Sequence, residues 1–203
     1  MSQEVGDTRR ERRRSETRAK LLAAAFELVT GNGYAATSID DIAARADVAR
    51  GTAVNYFPRK EDYLVALVAE RQRTFRENLE HPDTASSALD RLRAGLMAQA
   101  QSYETDTATR SLVREWVRAG GPMLPGVQGS IAAIEAVLAS GQRRGELDRQ
   151  LDPAVAATLI FDAYIGALVR WAGATDSTVA LRAPLSDALE LLLVAITPVP
   201  TKE

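Results

Sequence analysis

Arg50, Gly51, Thr52 and Asn55 fall within one short segment, ARGTAVNYF, and their types suit the reading of base-pair edges. A guanidinium can donate two parallel hydrogen bonds to guanine O6 and N7, and an asparagine amide can pair with adenine. Asn55 serves a phosphate equally well if it faces away from the groove. Gly51 has no side chain, so the backbone there can approach a duplex closely or pack its Cα on a thymine methyl. Thr37, Ser38, Tyr56 and Lys60 offer hydroxyls and an ammonium to the sugar–phosphate backbone, contacts that set register without reading sequence. Upstream, the run RRERRRSETR (residues 9–18) holds Arg12, Arg13 and Arg14, which suit an adjacent minor groove.

Side chains that read bases need an element that enters the major groove, and residues 37–57 supply a pair of short helices joined by a tight turn. Thr37 or Ser38 can cap the first, with Asp40 and Asp41 favoured in its first turn by the helix dipole. Ile39, Ile42, Ala43 and Ala46 recur at three- and four-residue spacing and form its buried face. Asp47 stands where the chain must turn, and Asp tolerates the left-handed conformation better than most residues. Val48 fills the angle between the helices. The second helix, about Ala49 to Phe57, is stopped by Pro58, which disfavours helix in the residue before it. Phe57 reads as the hydrophobic end of the module rather than as a contact.

An amphipathic first helix (TRAKLLAAAFELVTGNGY), then T-x-x-x-IA, then V-x-R-G-T-x-x-x-YF-P-x-K-E-D-x-L, resembles the TetR family of bacterial transcriptional repressors over residues 15–64. Two positions depart from the family pattern: the turn residue is Asp47 where Gly is usual, and Val54 stands where an aromatic often packs on the DNA backbone. The resemblance implies an N-terminal DNA-binding domain on an all-helical body that encloses a small-molecule effector. It also implies a homodimer on a palindromic operator.

Composition is consistent with this and excludes much else. The 203 residues are 46% apolar, enough to bury a core, and carry a net charge of −2. That charge is unevenly distributed: residues 1–60 hold 11 Lys/Arg against 8 Asp/Glu, and residues 61–203 hold 14 against 19. A basic N-terminal module on an acidic body is expected when one end faces phosphate. There is no cysteine, so disulfides and thiol chemistry are absent, which fits a reducing cytosol. No charge-free apolar run of about 18 residues occurs, so no membrane span is expected, and the polar, arginine-rich start is not a secretory signal. The expected location is the cytoplasm, on the nucleoid when bound to DNA. A single histidine, His81, and the absence of HExxH, phosphate-loop or Cys/His clusters argue against an enzyme and against a metal site; no cofactor is expected.

The expected fold is all-α, about nine helices in three parts: a flexible basic arm (1–14), a helix-turn-helix domain (15–60) and an effector-binding and dimerisation domain (61–203). The first helix spans about Ser15 to Thr30, ended by Gly31-Asn32-Gly33. A long helix from Lys60 to about Leu79 follows, with Tyr63, Leu64, Leu67, Val68, Arg71 and Phe75 inward and His81-Pro82 ending it. Five more lie near 84–103, 106–119, 127–144, 153–172 and 179–196, with turns at Gly120-Gly121-Pro122 and Leu124-Pro125-Gly126. Asp152-Pro153 is a clean start, a cap followed by proline at the first helical position.

In the last two helices, Leu185, Leu189, Leu192 and Ile196 line one edge, and Leu159, Ala163, Gly166 and Ala167 offer a small-residue surface for a four-helix contact between two copies. Packing within one protomer is the alternative reading. Met97, Tyr103, Trp116, Met123, Phe161, Tyr164 and Trp171 supply large apolar surface for an effector pocket, each also suited to the core. Asp162 interrupts the run AVAATLIFDAYIGALV. It either anchors a polar group of the effector or pairs with Arg114 or Arg118. A different class of function, architectural or non-specific nucleic-acid binding through the basic arm, predicts uniform binding to any duplex.

Overall fold

The computed structural model describes residues 2–80, 86–105, 107–118, 127–176 and 178–196, which are helical with no strand. The chain divides into two compact units, Met1–Val68 and Ala69–Glu203. Among the described residues the helices are α1 (Ser2–Asn32), α2 (Ile39–Arg45), α3 (Arg50–Tyr56), α4 (Lys60–Glu80), α5 (Ala88–Thr105), α6 (Thr107–Arg118), α7 (Val127–Arg143), α8 (Pro153–Gly173) and α9 (Arg182–Ile196). His81-Pro82 and the turn around Gly120–Gly126 lie outside the described residues.

The first unit corrects one expectation at its start. Residues 1–14 are not a separate flexible arm: α1 begins at Ser2. Glu and Arg are good helix formers, and Arg12 pairs with Glu16 one turn on at 3.3 Å. The Thr17 hydroxyl donates to the Arg13 carbonyl at 2.9 Å. Extending a helix already nucleated by its packed half needs only one more hydrogen bond per residue, so the charged segment needs no core of its own. At the other end Gly33, at φ +86°, donates to the Val29 carbonyl at 3.0 Å and closes α1; the positive φ is why glycine stands there.

Ser38 caps α2 in a reciprocal box: its Oγ accepts from the Asp41 N–H at 3.1 Å, and Asp41 Oδ2 accepts from the Ser38 N–H at 2.9 Å. Asp47 holds φ +55°, the left-handed turn expected of it. Phe57 leaves the helix for extended backbone just before Pro58. The core of this unit is Leu21, Ala25, Ile42, Ala43, Ala53, Phe57, Tyr63 and Leu64, all buried. The Phe57 and Tyr63 rings lie 4.2 Å apart. Those contacts explain why the compact division falls after Val68 rather than at residue 60: the first turns of α4 complete the core beneath α3.

In the second unit α8 packs against α6, α7 and α9, and α5 against α6, α7 and α9. Asp152 caps α8 through the Ala154 N–H at 2.9 Å, with Pro153 at the first position. The other end of α8 is closed by α6: Arg110 donates to the Trp171 carbonyl at 2.8 Å and Arg114 to that of Ala172 at 3.0 Å. Helix starts are satisfied by distant carboxylates as well. Glu146 accepts from the Ala88 N–H at 2.6 Å, and Glu104 from the N–H groups of Leu181 at 2.6 Å and Arg182 at 3.0 Å. Such groups would otherwise lack a partner at a helix end.

Candidate nucleic-acid interface

Helix α3 buries Ala53 and presents Arg50, Gly51 and Asn55 to solvent, with Thr52, Val54 and Tyr56 half-buried. A Cβ built at Gly51 would meet nothing within 4 Å. Glycine is therefore not required there by the protein's own packing, and the open space is what close approach to a duplex needs. Arg50 Nε lies 2.5 Å from the Asp40 carboxylate on α2, in a pair whose side chains are 69% and 65% exposed. The guanidinium is thus held over the exposed start of α3 by a contact weak enough to be exchanged for a base. Arg45 ties α2 to α1 through Glu27 at 2.6 Å.

Helical extension of α1 gathers its arginines. Arg10, Arg13, Arg14 and Thr17 share one face and, with Tyr56 of α3, border an open groove that also includes Glu11. Three cations beside a phenol, on the same unit as α3, suit a phosphate track. Arg12 faces elsewhere and is engaged by Glu16. Arg10 escaped the sequence reading, although the spacing 10, 13, 14 and 17 is that of one helix face; recognising it required the helix to reach that far.

Two backbone candidates are repurposed. Thr37 is 3% exposed and its hydroxyl donates to the Gly33 carbonyl at 2.9 Å, so it holds the α1–α2 turn and is withdrawn from phosphate. Ser38 remains exposed but spends its hydroxyl in the α2 cap; Asp41, accepting from the Ser38 hydroxyl and backbone, has its carboxyl held below the usual range. Lys60 Nζ donates to the Tyr34 carbonyl at 2.6 Å and lies 4.2 Å from the Tyr34 ring centroid. Its position is set by the α1–α2 turn as much as by any ligand. Phe57 is core, as expected.

Comparison with known proteins decides what the module belongs to. Residues 21–67 match the profile described as bacterial regulatory proteins, tetR family. The chain is a member of the TetR family. Among relatives, a fatty acid metabolism regulator protein of Bacillus subtilis (strain 168) is 27% identical over 193 residues, covering 87% of this chain and 94% of its own. The Thermus thermophilus transcriptional repressor FadR, solved with lauroyl-CoA, is 22% identical with a TM-score of 0.75, covering 92% of this chain and 99% of its own. A Bacillus subtilis FadR solved with stearoyl-CoA is 26% identical with a TM-score of 0.66, covering 88% and 98%. The matched proteins are transcriptional regulators, and this TetR-family chain is a DNA-binding regulator.

In the body of this TetR-family protein, Tyr103, Trp116, Phe161 and Tyr164 are buried and Met97 half-buried; Met123 lies outside the described residues. Trp171 is buried under Arg110, 5.2 Å from its ring centroid. The sequence reading missed the buried polar groups of the same unit. Gln72, Gln99, Thr109 and Ser130 are buried, and Gln72 is hydrogen-bonded to Ser130. Burial pushes the Tyr164 phenol well above the usual range, so it stays neutral, with the side chains of Tyr103 and Gln99 beside it. Arg71 lies 5.7 Å from the Tyr103 ring centroid, and the Phe75 and Tyr164 rings stack at 6.0 Å. Mixed-polarity composition of interior residues is invisible until the helices are placed.

Asp162 is corrected. It is exposed, on the outward side of α8, so it neither reaches the interior nor pairs with the named arginines. Arg114 closes α8, and Arg118 pairs with Glu115 at 2.6 Å.

The expected dimer surface divides in two. Leu185, Leu189 and Ala167 are buried in the protomer's own core and are withdrawn. Leu159 is 52% exposed, and Ala163, Gly166, Leu192 and Ile196 are half-buried at the surface. The structure adds Val155, Leu191 and Val194, at 56%, 77% and 72% exposure. An apolar groove of about 190 Å³ runs between Val155, Leu159 and Ile160 of α8 and Leu192, Ala195 and Ile196 of α9. Helix α8 is long and apolar enough to cross a membrane, yet half of its most apolar window is buried inside the protein. A helix apolar on both sides needs a second surface to cover it.

Proposed function

We propose that the protein is a repressor that occupies an inverted repeat as a homodimer and leaves it when a long-chain acyl thioester enters the second unit. The observation that carries the reading is the exposed start of α3, with Arg50 poised on Asp40 and Gly51 unobstructed, beside the arginine groove of α1. An arm acting alone needs no such base-reading helix, which weighs against a merely architectural role. Relatives solved with lauroyl-CoA and stearoyl-CoA support the effector class. So does the chemistry of the body, where large rings suit an acyl chain and Gln99, Tyr103 and Tyr164 carry amide and hydroxyl donors suited to a carbonyl. The DNA-bound form resides on the nucleoid in the cytoplasm.

Effector control requires differential affinity: moving the population from 99:1 bound to 1:99 takes about 10⁴-fold preference for the released state. The test uses fluorescence anisotropy on inverted repeats from the chain's own flanking DNA, titrated with lauroyl-CoA and stearoyl-CoA. Expected are salt-sensitive binding, release by the acyl-CoA, and a change in emission from buried Trp116. Release by none of the acyl chains, with operator binding intact, overturns the effector class and leaves the DNA reading standing.

A further inference from the structure

We propose that two copies of this chain cross their α8 helices antiparallel about a two-fold axis at Gly166, with Asp162 of each protomer paired to the partner's Arg170. The inference rests on the homodimer reading above and names the register of that contact.

The outward side of α8 carries Val155, Leu159, Asp162, Gly166 and Arg170, recurring at three- and four-residue intervals along its length. Such intervals keep residues on one helix face. Val155 and Leu159 share an apolar groove with Leu192, Ala195 and Ile196 of α9, and most of this stripe is apolar or small. It is interrupted by two opposite charges, and among the described residues neither Asp162 nor Arg170 has an ion-pair partner. Covering the stripe with an apolar partner would strand both charges, which is costly. A second copy can neutralise them.

Symmetry then selects the register. A two-fold contact is isologous, so an antiparallel crossing at residue n sets n+k beside the partner's n−k. Asp162 and Arg170 each lie four residues, about 6 Å along the axis, from Gly166. A crossing at 166 therefore brings each carboxylate to the level of the partner's guanidinium, twice over. A crossing at 162 opposes two carboxylates, and one at 170 opposes two guanidinium groups. Gly166 suits the point of closest approach because small residues at a crossing allow short interaxial distances. In the single chain its open side is covered by Arg170, whose Nη1 would lie 3.2 Å from a Cβ built there. That flexible end is free to swing off Gly166 toward the partner.

The experiment is sedimentation equilibrium of the full chain and of Asp162→Arg, Arg170→Asp and the double charge swap, with thermal melts as fold controls. Both side chains are exposed in the protomer, so melts at low concentration should match the parent. Each single variant should weaken self-association by at least about tenfold, and the double swap should restore it. Mixing the two single variants should produce heterodimers in preference to either homodimer, because their reversed charges are complementary. The double swap should not pair with the parent chain. A parent dimer with single variants that associate equally tightly, or a mixture without heterodimer preference, overturns this register alone. A parent chain that stays monomeric overturns the homodimer reading and the pairing together.

Discussion

Asp40, in the first turn of α2, and Arg50, at the start of α3, meet at 2.5 Å across the angle between the two helices. The pair is exposed, so water competes for both charges and the contact contributes little to folding. Its consequence is positional. One acidic residue that favours the α2 dipole also fixes the resting place of the guanidinium that we propose reads a base.

Arg50→Ala should cost about 1–3 kcal/mol on the cognate operator and much less on random DNA. Asp40→Asn should do the opposite, raising affinity for random DNA by removing a negative charge from the DNA-facing side while leaving the melting temperature nearly unchanged. Anisotropy titrations on both duplexes measure the two effects. Equal losses on both duplexes for Arg50→Ala would remove it from base reading.

The groove of Arg10, Arg13 and Arg14 beside Tyr56 should act on affinity rather than preference. Replacing the three arginines by alanine should reduce the slope of log affinity against log salt by about 0.9 for each phosphate that is no longer neutralised. The preferred half-site should stay the same, which selection from a randomised duplex pool would measure. Arg12→Ala, whose partner is Glu16, should change that slope far less.

Glu104 governs a pH-dependent part of the second unit's stability. Burial works against its charge, but the N–H groups of Arg182 and Leu181 and the Arg182 guanidinium more than offset this and hold its carboxyl below the ordinary 4.5. A carboxyl lowered in the folded state contributes stability that is fully present above its unfolded value and is lost as pH falls through the folded one. Glu104→Gln should therefore lower stability at neutral pH by about 1.5–3 kcal/mol. The gap to the parent should narrow as pH drops below 4.5, in denaturant titrations at a series of pH values. Glu146 is lowered in the same direction by Arg144 and the Ala88 N–H, so the variant keeps some acid sensitivity.

The DNA-binding module is legible in the sequence because its signals are local. The Ser38–Asp41 spacing fixes a cap within one turn, Asp47 takes the left-handed turn, and Pro58 stops α3. At the start of α1 dense charge suggests disorder, yet a charged stretch can extend a helix anchored elsewhere. In the body, helix existence follows from periodicity and from Asp152-Pro153, but helix facing does not. Leu185 and Leu189 are as apolar as Leu191 and Val194, yet the first two are buried in the protomer and the second two are exposed. A helix apolar on several sides leaves its buried face undetermined, and only its packing against α5 and α8 decides it. The same holds for Gln72 and Ser130, which are buried and paired with each other across 58 residues of chain. Their roles depend on partners far away in the chain, so sequence set the local conformations and tertiary packing decided which side chains remain free to act.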